Sequence, residues 1–237
     1  MTGAARVLQR GRSTPVASLR PAAGQLALFG HEAPAIDLSF ATLERTVLDH
    51  GAWIDVARGW LSGHVQLFNV LLEETRWRAD DRVMYDRQVD VPRLYASGPT
   101  HGPAAAQLQA MRAALDARYG TSFERTTLAL YRDGRDSVAF HGDYIARRMD
   151  EALVATVSVG APRRFLLRPT GGGRSHAFSC GWGDLLVMGG TCQRTYQHAI
   201  PKVAHADPRI AIMFRPIWHE KPDPTSDAQD TAPRVDR

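Results

Sequence analysis

At 237 residues with 44% hydrophobic content, the chain suits one domain of ordinary to large size, and no apolar run approaches the length that spans a membrane. Net charge is +4, but the basic residues are almost all arginine, with Lys202 and Lys221 the only lysines, so basicity permits an anionic partner without demanding one. Cys180 and Cys192 are too few for a disulfide framework and form no C-x-x-C pair, which fits a reducing cytoplasm and two buried structural thiols.

Residues 1–35 read as a leader expected to be disordered: small, punctuated by Pro and Gly, and without sustained periodicity. Arg6, Arg10, Arg12 and Arg20 give this stretch the composition of a transit peptide, and it lacks the apolar core of a secretory signal. A single body is expected over 36–217, and without leader and tail it keeps about +3 of the charge. In "LSGHVQLFNVLLEETRW" (61–77), apolar residues at Leu61, Val65, Phe68, Leu71 and Leu72 have the spacing of an amphipathic helix, with Ser62 as its N-cap. The polar stretch "RADDRVMYDRQVDVPRLYASGPTHGP" reads as a loop region or irregular hairpin, and "AAAQLQAMRAALDARYG" as a second helix stopped by Gly120.

Beyond Gly120 the pattern changes. "TTLALY", "LVATVSVG", "RRFLLRP", "DLLVMGG" and "RIAIMFRPI" are short β-type runs separated by turn residues, the pattern of an antiparallel sandwich or jelly roll. Helices over 36–120 therefore precede a β-domain over 121–217, and the polar tail 218–237 is expected to be disordered.

Strand residues i and i+2 share a face, so His141 and Asp143 in "AFHGDY" would present an imidazole and a carboxylate to one point. With His198 from "TYQHAIPK" they complete two histidines and one carboxylate, a set that suits iron(II) and leaves adjacent positions open. A solvated loop accounts for an isolated H-x-D equally well. Arg209 and Arg215 lie six apart on a β-type segment and so share a face, where either solvent or a bound dicarboxylate would satisfy them.

The ordered set Tyr131, His141-Gly-Asp143, "SVGAPRRFLLR", "GDLLVMGG", "TYQHAIPK" and Arg209-x5-Arg215 resembles the AlkB family of iron(II)- and 2-oxoglutarate-dependent dioxygenases over residues 26–217. The resemblance implies a double-stranded β-helix (jelly roll) with N-terminal helices and a nucleotide-recognition lid over about Arg78 to Gly102. It implies His141, Asp143 and His198 as iron ligands, Arg209 and the Tyr131 hydroxyl on the distal carboxylate of 2-oxoglutarate, and Arg215 near its C1 carboxylate. The cofactors are then Fe(II), 2-oxoglutarate and O2. The partner is alkylated DNA or RNA of the 1-methyladenine or 3-methylcytosine type, and the products are formaldehyde, succinate and CO2. Tyr85, Arg87, Arg93 and Tyr95 are the expected substrate contacts, on a monomer with no membrane association.

Three positions depart from the family's pattern. Ala129 stands where the family has an asparagine donating to the C1 carboxylate, a hydrogen bond worth about 1.5–3 kcal/mol. Ile145 replaces an acid that contacts the damaged base, and "YASGPTHG" leaves Tyr95 as the nearest stacking aromatic. These departures keep open a dioxygenase of modified RNA, protein or a small molecule. A nucleic-acid-binding module without turnover and a cupin-like metal protein of another function also stay open.

Overall fold

The computed structural model describes residues 16, 19, 32–84, 87–143 and 149–217, with backbone alone for 80–92. Tyr85, Ile145 and the tail 218–237 lie outside the described residues, as does the side chain of Arg87. Within the stretch read as a leader, Leu19 is buried in the core and Val16 packs against it.

The strands in chain order are β1 (Ala35–Ile36), β2 (Leu43–Val47), β3 (Ala52–Ala57), β4 (Leu61–Ser62), β5 (Arg78–Met84), β6 (Arg87–Ser97) and β7 (Arg125–Tyr131). Then follow β8 (Val138–His141), β9 (Val154–Gly160), β10 (Arg163–Pro169), β11 (His176–Cys180), β12 (Asp184–Gly190), β13 (Tyr196–Ile200) and β14 (Arg209–Arg215). The helices are α1 (His64–Glu74), α2 (Gly102–Tyr119) and the single turn α3 (Cys192–Thr195).

From β7 onward the chain alternates between two antiparallel sheets. β7, β9, β12 and β14 enter a large sheet in the order β12-β9-β14-β7, while β8, β10, β11 and β13 form a small sheet in the order β11-β10-β13-β8. This alternation winds a double-stranded β-helix, a jelly roll, because every connection but the β10–β11 hairpin carries the chain from one sheet to the other. β3 and β2 extend the large sheet past β12, and β6 and β5 extend it past β7, giving eight strands.

The large sheet has two apolar faces. Leu128, Leu130, Val157, Val159, Ile210, Ile212 and Phe214 face outward and pack under Leu67, Phe68 and Leu71 of α1 and Leu108, Met111 and Leu115 of α2. Alternate residues such as Ala129, Tyr131, Ala211 and Met188 face the barrel interior with Phe165, Leu167, Tyr196 and Ile200. Each fully buried side chain of this kind contributes about 1.5–3 kcal/mol, so the helices fasten the outer face and leave the inner face to chemistry.

Two local expectations change and one alternative is resolved. The first helix begins after Ser62, which lies in β4; its N-cap is Gly63 at φ 61°. A Cβ there would come within 2.6 Å of the Ala33 carbonyl, so close approach of the N-terminal segment selects glycine over a capping side chain. Of the two readings of the stretch after α1, the irregular hairpin holds: β5 and β6 pair with a register shift between Ala79 and Asp81, and β6 pairs with β7 from Leu94 to Ser97. Helices therefore do not simply precede the β-domain; strands on both sides of α1 join its large sheet. The second helix ends as the sequence indicates, with Gly120 left-handed and its N–H donating to the Asp116 carbonyl.

Candidate active site

His141 ends β8 and pairs in register with His198 on β13, so the backbone ladder of the small sheet brings the two imidazoles together. Their ring centroids are 4.3 Å apart. Asp143 lies two residues past the end of β8, outside the strand, so its approach does not come from strand alternation. Its backbone N–H donates to Oε1 of Gln193 at 3.1 Å, and the buried Gln193 on α3 holds the turn in place. Ligand atoms of His141, Asp143 and His198 all lie within 4.8 Å of one another, an arrangement that can hold a metal ion.

The groups are prepared for ligation. His141 Nδ1–H donates to the Ala139 carbonyl at 2.9 Å, which leaves Nε2 with its lone pair. His198 stacks on Phe165 at 5.5 Å, and burial followed by repulsion from His141 pushes its pKa down to about 3. Burial also lowers the pKa of His141. Burial works against the charge of Asp143, but Arg215 and the two histidines hold its carboxyl below the usual range. Arg215 Nε donates to Asp143 Oδ2 at 2.6 Å, and its Nη1 to Thr127 Oγ1 at 2.9 Å.

These shifts carry a pH consequence. Between about 6.5, the value for an unfolded histidine, and about 3, the unfolded chain binds a proton at His198 that the folded chain excludes. The metal-free protein is therefore expected to lose stability as pH falls below about 6.5 and to keep it in full above that value. Melting temperatures at pH 7.5 and 5.0 check this, and His198→Gln should flatten the difference.

Arg209 begins β14 opposite Tyr131 on β7 and Gly160 on β9, at the far end of the strand from Arg215. Both arginines face the barrel interior, as their even spacing indicates. Arg209 is 2% exposed. Its Nη2 donates to Ser158 Oγ at 2.7 Å, while Nε and Nη1 are buried without a partner among the described residues. A buried guanidinium with two unused donor atoms fits a carboxylate, and two imidazoles with a carboxylate fit Fe(II). The residues present therefore match both groups that the motif set implies.

This constellation is that of a family already defined by its sequences: the model of the 2OG-Fe(II) oxygenase superfamily matches residues 61–222. The chain belongs to the 2OG-Fe(II) oxygenase superfamily. As an oxygenase of this superfamily it is a 2-oxoglutarate-dependent dioxygenase, with Fe(II), 2-oxoglutarate and O2 as its requirements. It is 33% identical over 115 residues to bovine alpha-ketoglutarate-dependent dioxygenase alkB homolog 3, covering 44% of this chain and 39% of the relative. For the human alkB homolog 3 the values are 29% over 127 residues, 49% and 43%. The chain thus spans less than half the length of these relatives. It is also 30% identical over 146 residues to an uncharacterized protein of Acanthamoeba polyphaga mimivirus, covering 60% of this chain and 71% of that one. Among solved structures it matches a prolyl hydroxylase from Trichoplax adhaerens in complex with a peptide fragment of hypoxia inducible factor, with TM-score 0.47 and 11% identity over 63% of this chain and 74% of that one.

The oxygenase's remaining candidates divide. Arg93 is 6% exposed, with its guanidinium 4.5 Å from the Tyr95 ring and 5.9 Å from the Tyr131 ring. Tyr95 pairs with Ala129 and packs toward the barrel interior. Both residues therefore reach into the pocket beside Tyr131, deeper than a position in a lid suggests. Ala129 lies between Tyr95 and Ala211 and is 1% exposed. Cys180 and Cys192 are free and buried, the latter with its thiol pushed up to about 12 by burial. Gln193, Ser158, Thr127 and Arg163 all act on site residues, and no sequence spacing marked them; Ser158 and Thr127 come from the strands on either side of β14, and Gln193 and Arg163 reach loops distant in sequence.

Proposed function

We propose that this oxygenase oxidatively demethylates N-alkylated bases, of the 1-methyladenine or 3-methylcytosine type, in DNA or RNA. The observation that carries the reading is the convergence of His141, Asp143 and His198 at one end of the barrel and the unsatisfied Arg209 at the other. The similarity to alkB homolog 3 supports the substrate class. His141 and His198 supply neutral imidazoles and Asp143 the carboxylate that hold one face of the metal. Arg215 keeps Asp143 ionised and aimed. Arg209 anchors the distal carboxylate of 2-oxoglutarate together with the Tyr131 hydroxyl, which points the keto acid's other end toward the metal.

With Fe(II), 2-oxoglutarate and O2 bound, the site couples oxidative decarboxylation of the keto acid to hydroxylation of a nearby C–H bond. Hydroxylation of an N-methyl group gives a hemiaminal that releases formaldehyde and the unmodified base. A base within a duplex is out of reach, so the substrate is single-stranded or flipped, and a methyl on the pairing edge lowers the cost of flipping. Arg93 and Tyr95 line the approach from within the barrel, and Tyr85 and Arg87 complete the proposed set of substrate contacts.

Purified protein with Fe(II), ascorbate and labelled 2-oxoglutarate is expected to release labelled CO2, and more of it with a methylated oligonucleotide, with formaldehyde equal to the added CO2. Turnover that no methylated DNA or RNA stimulates would favour a second reading, a dioxygenase of another substrate, which Ala129 supports. Ala129→Asn is expected to tighten 2-oxoglutarate binding by about ten- to a hundred-fold, through about 1.5–3 kcal/mol for a hydrogen bond to a charged group. Because Ala129 is packed between Tyr95 and Ala211, the larger side chain costs about 1–3 kcal/mol of stability. Calorimetry and thermal melting read the two effects separately.

A further inference from the structure

Arg209 is not the only cation beside Tyr131. Arg163, the first residue of β10, is 3% exposed, and its guanidinium carbon lies 5.5 Å from the Tyr131 ring centroid, against 5.4 Å for Arg209. Its Nη1 donates to the Asp133 carbonyl at 3.0 Å and its Nη2 to the carbonyls of Asp136 at 2.8 Å and Pro201 at 2.9 Å. Its Nε is buried without a partner among the described residues. The three acceptors are backbone carbonyls, and the Asp136 carboxylate is itself engaged by Arg132. With Arg93 at 5.9 Å, three buried guanidiniums therefore lie around one phenol ring, and burial followed by the proximity of Arg209 works against the charge of Arg163. An anion at Arg209 relieves that repulsion; a neutral ligand does not.

The three carbonyls also belong to two connections. Asp133 and Asp136 lie between β7 and β8, the strand that ends in His141, and Pro201 follows β13, the strand of His198, on the way to Arg209. One side chain thus ties together the loops that deliver Tyr131, His141, His198 and Arg209.

We propose that Arg163 is a positioning residue that makes the pocket charge-selective: without touching the keto acid, it fixes the Tyr131–Arg209 pair and adds its field to that of Arg209. The inference rests on the reading of Arg209 as the anchor of the distal carboxylate.

The test is calorimetric binding to Mn(II)-loaded protein without oxygen, using 2-oxoglutarate and 2-oxohexanoate, in which an ethyl group replaces the distal carboxylate. Wild type is expected to prefer 2-oxoglutarate. Arg163→Gln, which keeps amide donors and loses the charge, is expected to reduce that preference by about tenfold. Arg163→Lys, which keeps the charge and loses the fork, is expected to hold the preference within about threefold while its melting temperature falls. Arg163→Met gives the same readout as glutamine if the glutamine variant does not fold. An unchanged preference in the neutral variant, or equal loss in the neutral and lysine variants, overturns the proposal. Wild type that binds both acids equally overturns the Arg209 reading itself, and this inference with it.

Discussion

Asp143→Ala is expected to lower succinate formation by more than about 100-fold, because loss of an outer partner of a metal ligand already costs about 10- to 100-fold and Asp143 is placed to be a ligand itself. The carboxylate has two partners. It faces His141 and His198, and its Oδ2 accepts from Arg215 at 2.6 Å. Alanine removes the negative charge from between them, leaving Arg215 with the Thr127 hydroxyl and the Met213 sulfur. Asp143→Asn keeps the side chain's shape and an oxygen for Arg215 but not the charge, so it separates loss of metal from loss of fold. Binding of Mn(II) followed by succinate assay reads both variants. Turnover within tenfold of wild type in the alanine variant would show that the metal is held elsewhere.

Arg209→Met produces the second large effect, in two opposite directions. Truncating one partner of a buried, hydrogen-bonded charge pair costs about 2–5 kcal/mol, so the dissociation constant for 2-oxoglutarate is expected to rise by roughly 30-fold or more. In the absence of 2-oxoglutarate the same variant is expected to melt higher. Arg209 is buried with one hydrogen bond, to Ser158, and two unused donor atoms, and burial depresses its pKa. A methionine of similar length removes that desolvation cost. For a chain of this size, each kcal/mol moves the melting temperature by about 2–4 °C. Saturating 2-oxoglutarate should reverse the ranking, since only wild type gains the stabilisation of tight binding. A variant that melts lower without 2-oxoglutarate and binds it normally would make Arg209 a structural residue.

The strands of the barrel were legible because their apolar runs are short and bounded by turns, and each of the five runs read from the sequence lies in a strand. The interior arginines were legible because an even offset on a strand survives folding unchanged. The approach of Asp143 was right in outcome but not in cause, since β8 stops at His141 and Gln193 holds the turn beyond it. Polar residues and a proline within β6, Pro92, left the choice between loop and irregular hairpin open, and hid that β6 joins the large sheet beside β7. Arg163 and Ser158 were illegible in principle. Within their own strands they look like an ordinary charged and an ordinary polar residue, and only the register of β9 and β10 against other strands buries them.

β14 has no idle position. Its odd-numbered residues, Arg209, Ala211, Met213 and Arg215, face the chemistry, and its even-numbered residues, Ile210, Ile212 and Phe214, are 0% exposed against the helices. One residue inserted between the two arginines would turn half the strand over, driving a guanidinium into the helix-facing layer and an isoleucine toward the metal. Two inserted residues would restore the facing but push the arginines apart by about 6.7 Å. The strand is thus a ruler as well as a wall: substitutions such as Ala211 alter what the pocket feels like, whereas any change of length alters what it can reach.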